Sequence, residues 1–379
     1  MSVVVCSCVD SDLVRSVAAR IGENATTFTT ITESSYRRLA GGTRLERLWL
    51  RWRMNAGYLL RLAWRIGRAP NATLWVVTTN PFFAPGVVAC IAGLRGQRVV
   101  HHVFDLYPDA LEAAGVVKQE GFVSQRIAAW TRFTQRNCAA AVYLGEELRR
   151  HTEERYGAAP CSVVIAVSAD EREFSALEIN VPFSTGPLSI HYGGQLGAMH
   201  DAAGLTAGVA ALAVERAAGR VSFDFMTGGS GACLLTRFAG EPGITLQGTA
   251  SSAEWRQVAV RHQIGLVALT PAGMRVCLPS KTHSMMAAGL AIIAICPARS
   301  DLAALVRDTG AGWVVDNTER NAAETGRAFA ELARELAAQP ELVREARRRA
   351  RHAAETTYGH IEIGRRWSEF VGKLEGGEG

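Results

Sequence analysis

The chain has 379 residues, of which 48% are hydrophobic and 20% charged, and its formal net charge is +5. This length exceeds what one hydrophobic core usually serves, so two domains are expected. The small basic excess suits an anionic ligand or an anionic membrane surface, and it is too weak to indicate nucleic-acid binding.

Eight cysteines are scattered along the chain, without a CxxC pair or a His/Cys cluster at metal-ligand spacing. This pattern is typical of reduced thiols in a cytosolic protein, and it predicts no metal site. The apolar start at 1–9 is too short for a signal peptide, and no later apolar segment is long enough to span a bilayer. We therefore expect a cytoplasmic protein.

The first half of the chain alternates strand and helix patterns, as in a parallel-sheet domain. Strands are predicted at 3–8, 26–31, 73–79, 98–103, 139–144 and 162–167, and helices at 13–21, 43–68, 87–94, 122–138 and 146–156. Asp10 and Asp12 form a D-x-D pair, a motif that holds a metal in some sugar-nucleotide enzymes. Asp12 is better explained as the cap of the helix that follows.

Segment 43–68 combines an apolar stripe with many arginines. The stripe comprises Leu45, Leu48, Trp49, Trp52, Ala56, Leu59, Leu60 and Ala63, and the arginines are Arg44, Arg47, Arg51, Arg53, Arg61, Arg65 and Arg68. Such a helix is typical of contact with anionic lipid, which predicts a peripheral site at the inner membrane face. The alternative is a crossover helix with its tryptophans in the core, and the strand at 73–79 favours it. Both interpretations hold if part of the helix is exposed.

Loops follow the carboxyl ends of strands 73–79 and 98–103, where ligands of open α/β sheets bind. His102 and Asp105 lie in the second of these regions and are candidates for proton transfer or acceptor positioning. A buried structural histidine is the alternative for His102, and a helix cap is the alternative for Asp105.

The second half restarts after a linker-like segment with weak periodicity at 175–187. A strand at 188–192 is followed by a glycine-rich loop at 193–197 and a helix from 201 to 214. In this arrangement, backbone N–H groups approach a diphosphate closely. The loop is not G-x-G-x-x-G and lacks the acidic residue that a dinucleotide ribose requires, which argues against an NAD-dependent oxidoreductase.

Lys281 opens a second candidate phosphate site. The segment 279–289 lies between predicted strands at 264–269 and 290–295, and its helical part is 282–288. Ser280 is predicted to cap this helix and Gly289 to stop it. The ammonium of Lys281 and the free N–H groups of the helix would converge on a phosphate. An ordinary crossover with a surface lysine is the alternative.

The remaining elements complete the second half. Strands are predicted at 221–226, 244–246 and 312–315, with a glycine-rich turn at 227–231 after the first. Helices are predicted at 252–260 and 301–309, and from 321 to the end the chain is predicted to be nearly all helix, ending in a helix at 361–374.

The order of these motifs resembles the donor domain of GT-B glycosyltransferases. The motifs are Y-G-G-Q-L-G at 192–197, F-M-T-G-G-S-G at 225–231, T-L-Q-G at 245–248, 279–289, and G-A-G-W at 310–313. In the first half, D-L-Y-P-D at 105–109 is similar to the D-L-W/Y-P motif of the retaining family 4 enzymes of bacterial polysaccharide and O-antigen assembly.

The resemblance implies an α/β, GT-B fold: two Rossmann-like domains with parallel sheets facing a central cleft. It assigns 1–178 to an acceptor-binding domain, 179–187 to a linker and 188–355 to a nucleotide-sugar domain. The helical segment 356–379 would cross back to the first domain.

The resemblance also implies a donor site. Gly193, Gly194 and Gln195 would offer backbone N–H groups to the diphosphate, and Lys281 would neutralise it. The other implied donor-binding residues are Gly228, Gly229 and Thr249, near the base or ribose, and Thr282 and Ser284. No metal or cofactor would be needed, because the lysine and the helix dipole replace Mg²⁺. The departing phosphate would take the acceptor's proton, with anomeric retention.

By the same resemblance, the donor is a UDP-linked hexose or N-acetylhexosamine. The acceptor is a lipid-linked saccharide or a small secondary metabolite. Ser284 and Val276 stand where the family has glutamates, and a serine bonds ribose hydroxyls more weakly than a carboxylate does. His283 would compensate in part, unless it is a solvent-facing helix residue. The departure supports a second hypothesis, a catalytically silent GT-B-like subunit of another transferase.

Overall fold

The computed structural model describes residues 1–32, 35, 44–174, 186–276 and 278–376. The chain forms two compact units, Met1–Val167 with Ile363–Gly379, and Ser168–Glu362. The first unit ends before the boundary predicted at 178, because Phe174 packs edge-on against Trp255 of the second unit, with ring centroids 6.2 Å apart. Most of the predicted linker, 179–185, lies outside the described residues.

The first unit contains a six-stranded parallel sheet in the order β3-β1-β5-β6-β7-β8, beside a small β2-β4 pair. The strands are β1 (Ser2–Cys6), β2 (Val9–Asp10), β3 (Ala25–Phe28), β4 (Ile31–Thr32), β5 (Thr73–Thr78), β6 (Arg98–Val103), β7 (Ala140–Tyr143) and β8 (Ser162–Val164). The helices are α1 (Asp12–Ile21), α2 (Arg44–Arg68), α3 (Ala84–Gly93), α4 (Asp109–Ala113), α5 (Phe122–Asn137) and α6 (Glu146–Tyr156).

Alternate residues of the central strands serve two separate cores. Leu74 and Val76 of β5 belong to a cluster with α1 and the C-terminal helix, whereas Trp75 and Val77 belong to a cluster with α2 and α3. All six residues of β5 are buried. A sheet covered on both faces requires such continuous apolar strands, which is why their sequence pattern does not alternate.

Helix α1 is capped by Ser11 and not by Asp12, which corrects the predicted cap. The Ser11 side chain accepts a hydrogen bond from the Val14 backbone N–H at 3.4 Å. Asp12 instead lies in the first turn and pairs with Arg15, whose guanidinium also reaches Asp10 at 2.7 Å. Both carboxylates of the D-x-D pair therefore bind an arginine of the same helix.

Helix α2 faces the sheet with a stripe other than the predicted one. Tyr58, Leu62 and Ile66 are buried in the core. Trp49 is 56% exposed, Trp52 69% and Trp64 63%. The expectation that its tryptophans fill the core is wrong for these three, because the helix carries two apolar stripes and the sheet takes the one with Tyr58. No described helix is both long and apolar enough to cross a membrane.

The second unit contains a six-stranded parallel sheet in the order β11-β10-β9-β12-β13-β14. The strands are β9 (Leu188–Gln195), β10 (Val221–Gly228), β11 (Ile244–Gln247), β12 (Ile264–Ala268), β13 (Ala291–Ile295) and β14 (Gly312–Val315). This is the doubly wound strand order, in which the direction of winding reverses between β9 and β12. Ligands of such sheets bind at that reversal, beyond the carboxyl ends of the strands.

Helices cover both faces of this second sheet. They are α7 (Ala202–Ala211), α8 (Ala213–Ala217), α9 (Ser252–Ala259), α10 (Lys281–Ala287), α11 (Asp301–Thr309), α12 (Ala322–Ala338) and α13 (Pro340–Thr356). The last described helix, α14 (His360–Gly376), begins at the end of this unit and contributes Ile363, Trp367 and Phe370 to the core of the first.

Candidate functional site

The predicted glycine loop is the end of strand β9, which continues through Gly193 and Gly194 to Gln195. Its last residues pair with β10, Gly194 opposite Thr227 and Gln195 opposite Gly228. Thr227 Oγ1 donates to the Gly194 carbonyl at 2.6 Å, and the Tyr192 hydroxyl donates to the Gln195 carbonyl at 3.0 Å. These bonds fix the backbone orientation at the winding reversal of the sheet.

Gly193 leaves room for the indole of Trp255. A Cβ at residue 193 would lie 2.0 Å from Trp255 Nε1 and 2.7 Å from its Cδ1. Trp255 belongs to α9, which begins with a capping box formed by Ser251 and Glu254. Sequence reasoning placed this residue on a helix without assigning it a role. A glycine inside a strand indicates a close approach of this kind, but it does not identify the neighbour.

Gly228 and Gly229 adjoin the side chain of Gln195, and Thr249 adjoins Gly228. A Cβ on Gly228 would be 2.8 Å from Thr249 Cγ2 and 3.9 Å from Gln195 Nε2. Gly229 has φ +98°, and a Cβ there would lie 2.9 Å from Gln195 Oε1. Both glycines are thus required by close packing, and the four predicted residues form one group.

Lys281 reaches the end of β9 from the first residue of α10. Its Nζ lies 3.5 Å from the Gln195 carbonyl oxygen and 3.8 Å from the centroid of the Tyr192 ring. Gly289 stops the helix as predicted, with φ +75°. Ser280 forms no side-chain cap and has helical dihedrals, so the predicted cap is wrong; the chain already turns helically before α10.

The residues after Lys281 differ in exposure. Thr282 is buried, and its hydroxyl has no hydrogen-bond partner among the described residues. His283 is also buried, 4.9 Å from the ring of Tyr358 between centroids, so a solvent-facing placement is wrong. Burial lowers the pKa of His283 to about 4. Ser284 is partly exposed, whereas Val276 is buried.

His200 is a neighbour of Lys281 that sequence reasoning missed. The Gly197 backbone N–H donates to His200 Nδ1 at 3.0 Å. Burial, and then the positive charge of Lys281, lower the pKa of His200 to about 3. The ring is therefore neutral at pH 7 with its proton on Nε2, which makes it a hydrogen-bond donor beside an ammonium group.

His102 and Asp105 lie in the first unit at the end of β6, and their surroundings differ. His102 is buried, with its ring 4.4 Å from Phe104 and 5.3 Å from Trp367 between centroids. Burial lowers its pKa to about 3, so the ring stays neutral. This environment is that of a buried structural histidine, the alternative that the sequence left open.

Asp105 has an exposed side chain, and its backbone N–H donates to Thr79 Oγ1 at 3.2 Å. Helix α4 begins at Asp109 without a side-chain cap. The alternative role of Asp105, as the cap of this helix, is therefore wrong. Desolvation by the surrounding protein raises the pKa of Asp105 to about 6, although its surface is open to water. Both observations leave the carboxylate mainly ionised at pH 7.

Asp109, at the end of the D-L-Y-P-D motif, is held in a buried polar network. Its carboxylate contacts His151 Nε2 at 2.7 Å, Arg155 at 2.6 Å and the Tyr156 hydroxyl at 2.5 Å. Burial acts to raise the pKa of Asp109. Hydrogen bonds from His151 and Tyr156, with the charge of Arg155, outweigh it and hold the pKa below its usual value. This network fixes the start of α4 just after the exposed Asp105.

No protein-family model and no curated protein sequence matches the chain. Solved structures do match. Anabaena HepE in complex with UDP and glucose has a TM-score of 0.70 at 12% identity, over 98% of this chain and 100% of that one. An α,α-trehalose-phosphate synthase (UDP-forming) from Burkholderia xenovorans, in complex with glucose-6-phosphate, has a TM-score of 0.67 at 11% identity, over 99% and 100%. The chain therefore has the two-domain GT-B fold of these glycosyltransferases.

Proposed function

We propose that this protein transfers a sugar from a UDP-sugar to an acceptor hydroxyl, with the donor bound by the second unit. The observation that carries the proposal is the reach of Lys281 to the end of β9, 3.5 Å from the Gln195 carbonyl, in a chain with the GT-B fold. Structures of the similar Anabaena HepE contain UDP or UDP-glucose. An ammonium beside backbone N–H groups is suited to a diphosphate.

The residues at and near the end of β9 would bind different parts of the donor. Lys281 would pair with the diphosphate, and the backbone of Gly193, Gly194 and Gln195 would approach it closely. The Nε2–H of His200 would add a neutral hydrogen bond. Gly228, Gly229 and Thr249, with Thr282 and Ser284, would adjoin the nucleoside.

Transfer would proceed with retention and without a metal ion at the phosphate. Charge that develops on the leaving diphosphate would be stabilised by Lys281, and the leaving group would accept the proton of the acceptor hydroxyl. Asp105, exposed and ionised, would position the acceptor in the first unit. His102 would act through packing at the end of β6.

The acceptor we propose is a lipid-linked saccharide, with a small metabolite as the alternative. Helix α2 carries exposed Trp49, Trp52, Leu60 and Trp64 on one side. The neighbouring Arg51, Arg53, Arg61, Arg65 and Arg68 are exposed as well. Aromatic and basic side chains together favour binding to an anionic lipid surface.

This lipid contact can be tested by liposome pelleting with anionic vesicles at low and high salt. We expect salt-sensitive pelleting that weakens in a Trp52→Ala/Trp64→Ala variant. Phe122→Ala is the matched control, because Phe122 is an equally exposed aromatic residue under an arginine, Arg126, on another helix. Equal pelleting of the two variants, or none for the wild type, would refute the lipid contact.

A catalytically silent partner subunit is the second candidate. The buried Val276 and the uncharged Ser284 favour it, since neither supplies the ribose-binding carboxylate that the resemblance to family 4 enzymes implies. The two candidates differ in donor turnover, because a silent subunit would bind a partner protein without releasing UDP from a UDP-sugar.

Nucleotide binding tests the proposed donor site. Thermal melting is recorded with UDP, GDP, dTDP, ADP and CMP for the wild type, Lys281→Ala and Lys373→Ala. Lys373 is exposed on α14 in the first unit and serves as the charge-matched control. A ligand that binds only the folded state raises the melting temperature. We expect a shift with UDP that is lost in Lys281→Ala and kept in Lys373→Ala; no shift with any nucleotide would contradict the proposal.

A further inference from the structure

Three metal-ligating side chains meet inside the second unit, below the glycine end of β9. His191 is central in β9 and lies directly opposite Asp224 of β10 in the register. His262 lies two residues before β12, the strand on the other side of β9. Because these residues are far apart in sequence, only the sheet topology brings them together.

The ligating atoms are close to one another. His262 Nε2 lies 3.1 Å from Asp224 Oδ2, and His191 Nδ1 lies 3.9 Å from the same oxygen. One ligand atom from each of the three residues falls within 4.8 Å of the others. Two atoms bound to one tetrahedral zinc ion are about 3.4 Å apart, given bond lengths near 2.1 Å. The ligand atoms are therefore within about 1.5 Å of the separations that tetrahedral coordination needs.

Polar atoms of the cluster lack partners. Both ring nitrogens of His191, Oδ1 of Asp224 and Nδ1 of His262 are buried without a hydrogen bond among the described residues. The His191 side chain is fully buried and that of Asp224 is 10% exposed. Buried polar groups are normally satisfied by protein, water or an ion, so this many unpaired atoms in one place requires an explanation.

The cluster consists of side chains that transition-metal ions bind. A neutral imidazole nitrogen and a carboxylate oxygen are both ligands of zinc. A hydrogen-bonded His–Asp pair would satisfy the His262–Asp224 contact, whereas His191 Nδ1 would keep only its longer contact of 3.9 Å with the same carboxylate.

We propose that His191, Asp224 and His262 form a binding site for a divalent transition-metal cation such as Zn²⁺. Two imidazoles and one carboxylate favour such an ion over Mg²⁺, which prefers oxygen ligands. None of these three residues is among those that we propose to contact the diphosphate, although the charge of Lys281 acts on His191. This inference does not depend on the proposed transfer activity.

Binding requires one ring to turn. The imidazoles of His191 and His262 are stacked, with centroids 5.0 Å apart and planes 16° from parallel. Nearly parallel rings cannot both direct in-plane lone pairs at one ion. His262 is the ring with room to rotate, because its side chain is 15% exposed whereas that of His191 is buried.

A bound ion would join three neighbouring strands just before the glycine end of β9. His191 precedes Tyr192 and Gly193, and its ring lies 6.2 Å from that of Trp255 between centroids. The ion would thus hold together β9, β10 and the start of β12. We infer a structural cation that stabilises the second unit and sets the position of the Trp255–Gly193 contact.

The test is zinc titration of the metal-stripped, full-length protein by calorimetry, with elemental analysis after dialysis. Every protein carries Cys90→Ser and Cys233→Ser, because these exposed thiols would bind zinc themselves. The variants are His262→Ala and Asp224→Asn, which nearly preserves side-chain volume. His352→Ala is the matched control, because His352 is exposed on α13 in the same unit.

We expect one zinc per chain in the background protein and in His352→Ala, with a melting temperature that rises with zinc concentration. His262→Ala and Asp224→Asn should bind at least about tenfold more weakly and lose the zinc-dependent stabilisation. Equal zinc affinity in His262→Ala and His352→Ala would overturn the proposal. So would the absence of stoichiometric binding in a background protein that is folded by circular dichroism.

Discussion

The contact between Gly193 and Trp255 allows a sharp test of the glycine end of β9. In Gly193→Ala, the new methyl group would lie 2.0 Å from Trp255 Nε1, far inside van der Waals contact. The indole is confined by Phe174, whose ring is 6.2 Å away, and by His191 at the same separation. The substitution must therefore displace the tryptophan or bend the strand.

Overpacking of this kind costs about 1–3 kcal/mol of unfolding free energy. For a domain of roughly 200 residues, each kcal/mol lowers the melting temperature by about 2–4 °C, so we expect a fall of about 2–12 °C. Gly372→Ala is the control, because a Cβ there meets nothing within 4 Å and the residue lies in helix α14. It should be neutral or stabilising by up to about 1 kcal/mol.

A double-mutant cycle isolates the contact itself. Unfolding free energies are measured for Gly193→Ala, Trp255→Ala and the double variant by urea denaturation. If the clash is the cause, Gly193→Ala should cost at least about 1 kcal/mol less in the Trp255→Ala background. An equal loss in both backgrounds would refute the steric explanation and indicate a backbone requirement at Gly193.

Three further substitutions test other parts of the structure. Gly312→Ala should cost at least about 3 kcal/mol and reduce soluble expression, because its Cβ would lie 1.9 Å from the Ile292 carbonyl oxygen across the β13–β14 ladder. His283→Gln should flatten the acid side of the stability curve. The lowered pKa of His283, about 4, means that its contribution is present above about pH 6.5 and is lost as pH falls toward 4, at up to about 1.4 kcal/mol per pH unit. Asp109→Asn should destabilise at pH 7 by about 1–3 kcal/mol through weaker bonds to Arg155 and Tyr156. Because the pKa of Asp109 is lowered, this difference should shrink as pH falls below about 4.

Each of these three has an outcome that contradicts it. A Gly312→Ala variant with the melting temperature of the wild type would mean that the β13–β14 ladder accommodates the methyl group without loss of stability. A His283→Gln curve parallel to that of the wild type between pH 6.5 and 4 would show that the histidine is not buried in solution. If Asp109→Asn lowers the unfolding free energy by the same amount at acid pH as at pH 7, the charge of Asp109 does not cause the loss, and the change in shape does.

The strands and helices of the second half were predictable because each of these elements begins or ends at a local sequence signal. The apolar run and the stop at Gly289 gave the start of β9 and the bounds of α10 to within one residue, but the glycines at 193 and 194 wrongly predicted a loop where β9 continues to Gln195. Lys281 also reaches the glycine end of β9, although the two are distant in the sequence, because both follow carboxyl ends of parallel strands.

The features that the sequence did not predict depend on which faces of the helices and strands pack against one another. Helix α2 has two apolar stripes, and periodicity alone cannot say that the sheet packs against Tyr58, Leu62 and Ile66 while Trp52 stays exposed. The cluster of His191, Asp224 and His262 has no metal spacing in the sequence, since it is assembled from two adjacent strands and the segment before a third. Trp255 was missed for the same reason, because its partner is a glycine on another element.

Release of UDP from UDP-sugars tests directly whether this protein is a sugar transferase. The wild type, Lys281→Ala and Lys373→Ala are incubated with a panel of UDP-hexoses and UDP-N-acetylhexosamines, with and without candidate acceptors, and UDP is quantified. We expect UDP release from at least one donor, lost in Lys281→Ala and retained in Lys373→Ala. UDP binding without release from any donor would contradict the transferase and favour the silent partner subunit.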